Sequence, residues 1–296
     1  MTQASARTAP AAIDRRALRR AYGRPVRPPA DDSVTREVAG RMAERLDYVR
    51  IAPARVLDAG CGRGADLTAL AARYPEAEVI GVDLNRVAGQ ALARPGWLTR
   101  WLGRSGGPLT LRADHDRLPL PPGSVDLLWS NLALGWSPDP LATFSEWHRV
   151  LGEGGLLVFS TWGPDTLREV REACERLDES GRVHDFIDMH DLADQMAMAG
   201  FADPVVDMER ITLTYASLED LASDLRASGQ SGARLDRPRG LIGRTRWQAL
   251  AQAMRSRPDG RLGVTLELVQ GHAWKLGPAP RADGRSVVRF MSRPGR

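Results

Sequence analysis

The chain has almost no cysteine, almost no lysine and no long apolar run. Cys61 and Cys174 are the only two thiols in 296 residues. That excludes a disulfide framework and fits a reducing compartment, so a cytoplasmic protein is expected. Lys275 is the single lysine, so a phosphate loop of the Gly-Lys-Ser/Thr type is excluded. No window reaches the roughly 18 apolar residues of a membrane span, and no membrane partner is expected. The opening "MTQASARTAPAAIDRRALRR" lacks the apolar core of a secretory signal. Aromatic residues make up 6% of the chain. No N-P-P-Y run follows the fourth expected strand, where "SNLALG" stands instead, so a base-stacking nucleic-acid methylase is not expected.

What is present is arginine, and a net charge of +4. Arginine forks suit carboxylates and phosphates. Arg15, Arg16, Arg19 and Arg20, with Arg234, Arg237 and Arg239, are candidates for docking an acidic partner. A solvated charged surface explains each cluster equally well.

From Arg55 onward, short apolar strands alternate with amphipathic helices. "RVLDAG", "EVIGVDLN", "LTLRAD", "VDLLWSNL" and "LLVFST" read as strands. Helices are expected over "ADLTALAARY", "RVAGQALAR" and "DPLATFSEWHRVL", the last stopped by "GEGG". This is the pattern of βαβ units around a parallel sheet. Two helices follow, then strands at "PVVDMERITLTY" and "GVTLELVQGHAWK". Residues 1–32 read as a flexible basic arm. Residues 33–296 read as one domain with a helical insert, a lid or cap, at about 217–260.

In such a sheet, ligands sit beyond the carboxyl ends of the strands. Asp58, Asp83, Asp114 and Asn131 fall at those ends. Gly60, Gly62 and Gly64 form a turn that lets a ligand approach the backbone. Asp83, 19 residues past Gly64, can accept from both ribose hydroxyls. Asp58 in front of the glycines repels a pyrophosphate but accepts from an ammonium group. Asp114 is placed to accept from an adenine amino group. The ligand with a ribose, an adenine and an amine in place of phosphates is S-adenosylmethionine. Leu84 and His115 complete the expected cofactor set. No metal is expected.

"VLDAGCGRG", "VIGVDLN", "ADHDRLPL", "VDLLWSNLALGW" and "HRVLGEGGLLVFST", in this order over roughly residues 50–165, resemble the class I S-adenosylmethionine-dependent methyltransferases. The resemblance implies a Rossmann-like seven-stranded α/β sheet with the last strand antiparallel. "FSTWGPDTLREVREA", "HDFIDMHDLADQMAMAGFADPVVDMERITLTY" and "GHAWK" are similar to the malonyl-[acyl-carrier protein] O-methyltransferases of biotin synthesis. Members of that family esterify the free carboxyl of malonyl-acyl-carrier protein, an acidic partner. They usually carry a Tyr-Asp pair and an "LQRE"-like run before the first long helix. Here "PPADDSVTREV" keeps only "TREV". A carboxylate nucleophile needs no general base. It needs a cation or donor, for which Arg168 and His184 are the candidates. Trp136 is a candidate pocket wall. Two alternatives remain open at this point. One is a relative of the arginine hydroxylases that assist complex I assembly. The other is a non-catalytic S-adenosylmethionine-binding protein.

Overall fold

Apolar runs without alternation belong to strands covered on both faces. The computed structural model describes residues 13–22, 33–85, 107–227, 232, 234–238, 240, 242–254 and 259–277. In it the strands form one seven-stranded sheet. They are β1 (Arg55–Ala59), β2 (Glu78–Asp83), β3 (Leu109–Arg112), β4 (Val125–Ser130), β5 (Leu151–Trp162), β6 (Ala202–Tyr215) and β7 (Leu262–Lys275). The order is β3-β2-β1-β4-β5-β7-β6. β1 to β5 pair in parallel, and β7 runs antiparallel to both β5 and β6. The expected strands are all present, with the antiparallel strand last in the chain.

The helices are α1 (Arg15–Tyr22), α2 (Ser33–Arg45), α3 (Ala65–Arg73), α4 (Pro140–Val150), α5 (Arg168–Glu175), α6 (Met189–Met198), α7 (Leu218–Ala227) and α8 (Arg244–Met254). Successive strand residues point to opposite faces, which splits the core in two. Val56, Leu127, Leu156 and Val158 face α2, α3, α5 and α8. Leu57, Leu128, Leu157 and Phe159 face α4 and α6.

α4 shows how local chemistry fixes an element. Asp139 caps it by accepting from the Ala142 amide at 3.1 Å, and Pro140 opens the first turn. At the other end Lys275 Nζ donates to the carbonyls of His148 at 2.8 Å and Leu151 at 2.7 Å. The single lysine of the chain thus satisfies helix-end carbonyls that lack an intrahelical partner.

Some expectations change. "GEGG" does not follow the helix as a loop. β5 already starts at Leu151, and its register against β4 shifts between Val125 and Leu127, so these residues form a bulge. On the N-terminal side, Arg15–Tyr22 is a helix, with Leu18 buried against Trp136. Between β6 and β7, α8 buries Leu250 and Met254 in the core. The helix expected over "RVAGQALAR" lies outside the described residues.

Candidate active site

Strand order reverses between β1 and β4, and the crevice beyond their carboxyl ends is the natural ligand seat. The cavity there is lined by Asp58, Gly60, Gly62, Asp66, Asp83, Leu84, His115, Asn131 and Trp136 among others. The glycine turn holds its shape through the β2 end. The Gly60 and Cys61 amides donate to the Val82 carbonyl at 2.8 and 3.0 Å. Gly60 takes a φ of 83°, and a Cβ there would lie 2.3 Å from that of Ala133. Only glycine fits this close approach. Gly64, also at positive φ, opens α3.

Asp83 receives the Gly62 amide on Oδ2 at 3.0 Å and the Asn85 amide on Oδ1 at 2.7 Å. Each oxygen keeps a lone pair for a further donor. Burial pushes its carboxyl pKa up, against these two amides. Asp58 is 1% exposed, and its Oδ2 has no hydrogen-bond partner. Burial first, then the charges of Asp66 and Asp83, push its pKa well above the carboxylate range. An unpartnered buried acid among other acids is a seat for a cation. Burial likewise raises the Cys61 thiol far above its ordinary value, so it is no thiolate nucleophile.

Asp66 was not legible as a site residue. It accepts from Trp129 Nε1 and Asn131 Nδ2, both at 3.0 Å. Its position in the first turn of α3 was the available signal, but a helix-end acid reads equally as a dipole partner. Asn131 also donates to the Thr35 carbonyl at 3.1 Å and accepts from Ser160 Oγ at 3.0 Å. It thereby ties the start of α2 to the ends of β4 and β5.

The Arg15 guanidinium engages Asp114 and Asp116 together. Asp114 does not line the cavity, whereas His115 does. Like Asp83, Asp114 keeps lone pairs for a further donor. His115 Nε2 is buried without a hydrogen bond, 3.2 Å from Asp116 Oδ1, and burial lowers its pKa. Asp114, His115 and Asp116 also have the spacing of a metal cluster, but a guanidinium meets the two acids here. No sequence signal links Arg15 to them.

A second, larger cavity adjoins the first. Its walls include Val34, Trp162, Leu167, Val170, Val264 and Leu266, with Arg182, His184, Tyr215, Asp224 and Arg226 among its polar points. Thr35 and Trp136 line both cavities. Trp136 stacks on His184, centroids 5.4 Å apart, and meets Tyr22 of α1 edge-on at 6.2 Å. The structure brings His184 and Trp136, two of the candidates, together on one cavity wall.

Arg168 does not line that cavity. Leu167 turns inward at φ 57°, and α5 begins just after it. The Arg168 side chain is 47% exposed and pairs with Glu169 at 3.3 Å and Asp165 at 3.6 Å. Glu172, one turn on, pairs with Arg176. Arg182, which sequence reasoning missed, lines the cavity, but Glu179 holds it and also engages Arg246.

A protein-family model described as "Methyltransferase domain" matches residues 57–159. The YcgJ protein of Bacillus subtilis shares the fold, with a TM-score of 0.54 at 17% identity over 82% of this chain and all (100%) of that one. The sheet order, the acid-lined crevice and this match define an S-adenosylmethionine-dependent class I methyltransferase. The malonyl-[acyl-carrier protein] O-methyltransferase of Laribacter hongkongensis is 48% identical over 86% of this chain and 88% of its own length. That of Gallionella capsiferriformans is 43% identical over 94% and 96%. The chain belongs to the malonyl-[acyl-carrier protein] O-methyltransferase family.

Proposed function

We propose that this protein esterifies the free carboxylate of malonyl-[acyl-carrier protein] with the methyl group of S-adenosylmethionine, giving the ester that starts pimeloyl and biotin synthesis. The observation that carries the reading is the meeting of two unlike cavities at Thr35 and Trp136, one acidic and one apolar. The family membership supplies the substrate class.

The unpartnered Asp58 carboxylate suits the cofactor's ammonium group, and Asp83 its ribose hydroxyls. Gly60, Gly62 and Gly64 let the amino-acid end lie against the backbone, with Asn131 and Asp66 behind it. Leu84 and His115 flank the remaining space. Bound there, S-adenosylmethionine supplies an electrophilic methyl on a sulfonium. The protein's own task is placement. A malonyl carboxylate is ionised near neutrality and needs no general base. The apolar walls exclude water, and holding the reactants in line contributes up to about 7–11 kcal/mol in well-oriented cases.

α1 offers a docking face for the acidic carrier. Arg16, Arg19 and Arg20 are exposed and have no carboxylate partner among the described residues. Arg15, Arg234 and Arg237 are already paired with acids, and Arg239 lies outside the described residues. The two buried, unpaired thiols support a cytoplasmic setting. Incubation with S-adenosylmethionine and malonyl-acyl-carrier protein should add one methylene to the acyl group by mass spectrometry. Cofactor binding without that gain would overturn the reading.

A further inference from the structure

His184 lines the apolar cavity beside the wall shared with the acidic one, stacked on Trp136 at 28° between planes and edge-on to Phe186 at 5.0 Å. It is 5% exposed. Nε2 lies 2.9 Å from the Gly135 carbonyl oxygen. A carbonyl only accepts, so Nε2 carries the hydrogen, and in the neutral ring Nδ1 is a bare acceptor. That Nδ1 is buried and has no hydrogen-bond partner. A buried polar atom left without a partner asks for a ligand.

The groups around it are accounted for. Arg171 donates to the His184 carbonyl at 3.2 Å and to that of Pro164 at 2.9 Å. Arg234 is held between Asp185 and Asp236. Across the cavity Asp224 accepts the Tyr215 hydroxyl at 2.6 Å, and Arg182 is committed to Glu179. Trp136 and Phe186 bring no titratable group. Burial pushes the imidazole pKa below its ordinary value; Gly135 and Asp185 oppose this, while Arg234 and Arg171 add to it. The cavity therefore holds a neutral ring.

Building on the carboxyl-methylation reading, we infer that His184 recognises the free carboxylate of the acyl group, taking a proton from solvent onto Nδ1 and donating that N–H to the carboxylate. Arg168 does not line the cavity, Arg182 is committed to Glu179, and Arg226 is exposed and donates to the Ala222 carbonyl. The imidazole is the buried group stacked directly on Trp136, the residue the two cavities share. In the reaction the carboxylate oxygen forms a bond to the methyl carbon and the sulfur–carbon bond breaks, its electron pair staying on sulfur. Carboxylate and sulfonium charges vanish together. The ester cannot hold a charged ring, so Nδ1 returns its proton to solvent and the product is released. His184 thus selects acid over ester. It is not a general base, because no proton leaves the nucleophile.

Proton linkage tests this on the unaltered enzyme. Calorimetric binding of malonyl-acyl-carrier protein, with S-adenosylhomocysteine present, is run at pH 7 in two buffers of different ionisation enthalpy. A proton uptake approaching one per site is expected, with none for the methyl-ester carrier protein, which should bind at least tenfold more weakly. The KM for the malonyl substrate should rise toward tenfold per pH unit above the imidazole titration, with kcat nearly flat. His184→Gln, whose amide can still reach the Gly135 carbonyl, should show a raised KM without that slope. Methyl transfer by the wild type with no proton uptake and a pH-independent KM would overturn the role of His184 alone. No transfer to the malonyl substrate at all would overturn the activity as well.

Discussion

The two cavities share a wall and are built by opposite means. The first is made at the ends of β1, β2 and β4, from carboxylates and a glycine turn close together in sequence. Its polar atoms are held by backbone amides, and it leaves one acid unpartnered. The second is assembled from α2, α5, α7 and the β6–β7 pair, which are far apart in the chain, and its lining is mostly apolar. A ligand with fixed charges and a fixed sugar needs rigid polar points. A flexible acyl arm needs a dry channel with one recognition point. The contrast accounts for why the first region is dense in short strand-end motifs, while the second is spread over long runs such as "FSTWGPDTLREVREA".

The largest way to break the contrast is to fill the glycine turn. Gly60→Ala would place a Cβ against Ala133 at positive φ. It should weaken cofactor binding roughly 100-fold by calorimetry, leaving the fold intact by circular dichroism. Removing a polar point is milder. Asp83→Ala should raise the cofactor dissociation constant at least about tenfold, and an unchanged constant would show that the ribose assignment is wrong.

Acidity sharpens the same point. The raised carboxyl pKa values of Asp58 and Asp83 mean that a bound cation competes with protons. Cofactor affinity should fall as pH falls through those values. Stability of the protein alone should move the other way. A raised folded-state pKa contributes stability at low pH that is lost as pH rises through it. Thermal melts and cofactor titrations across the same pH series would show the opposed trends, and parallel trends would refute the cation seat.

A change remote from both cavities separates fold from site. Lys275→Met leaves the His148 and Leu151 carbonyls short of a donor. A loss of about 1–3 kcal/mol in chemical denaturation is expected, with cofactor and substrate constants unchanged. The smallest effect is expected at Arg168→Ala. That side chain is exposed and its ion pairs lie at the surface, so the substrate KM should stay within about twofold. A tenfold rise would return Arg168 to the substrate site.

Much of the first cavity was readable in advance. Asp58, Gly60 and Asp83 could be placed because strand period, turn glycines and strand-end acids are local signals. Asp66, Thr35 and Arg15 were missed for one physical reason. Their roles arise from contacts with partners distant in the chain, such as Asn131 with the Thr35 carbonyl and Arg15 with Asp114 and Asp116. Arg168 and Arg182 show the limit in the second cavity. Arg168 opens α5 with an exposed side chain, whereas Arg182, beyond the far end of that helix, lines the cavity.

The sequence by itself determined the parallel sheet and the acid-and-glycine seat, which follow from short-range periodicity and from glycine's access to positive φ. The antiparallel final strand was implied by the family resemblance. Only the tertiary structure decided that α1 packs over Trp136, that Arg15 engages Asp114, and that His184 is left with a bare buried nitrogen. Whether a polar atom has a partner depends on every element packed around it, and no local stretch of sequence carries that information.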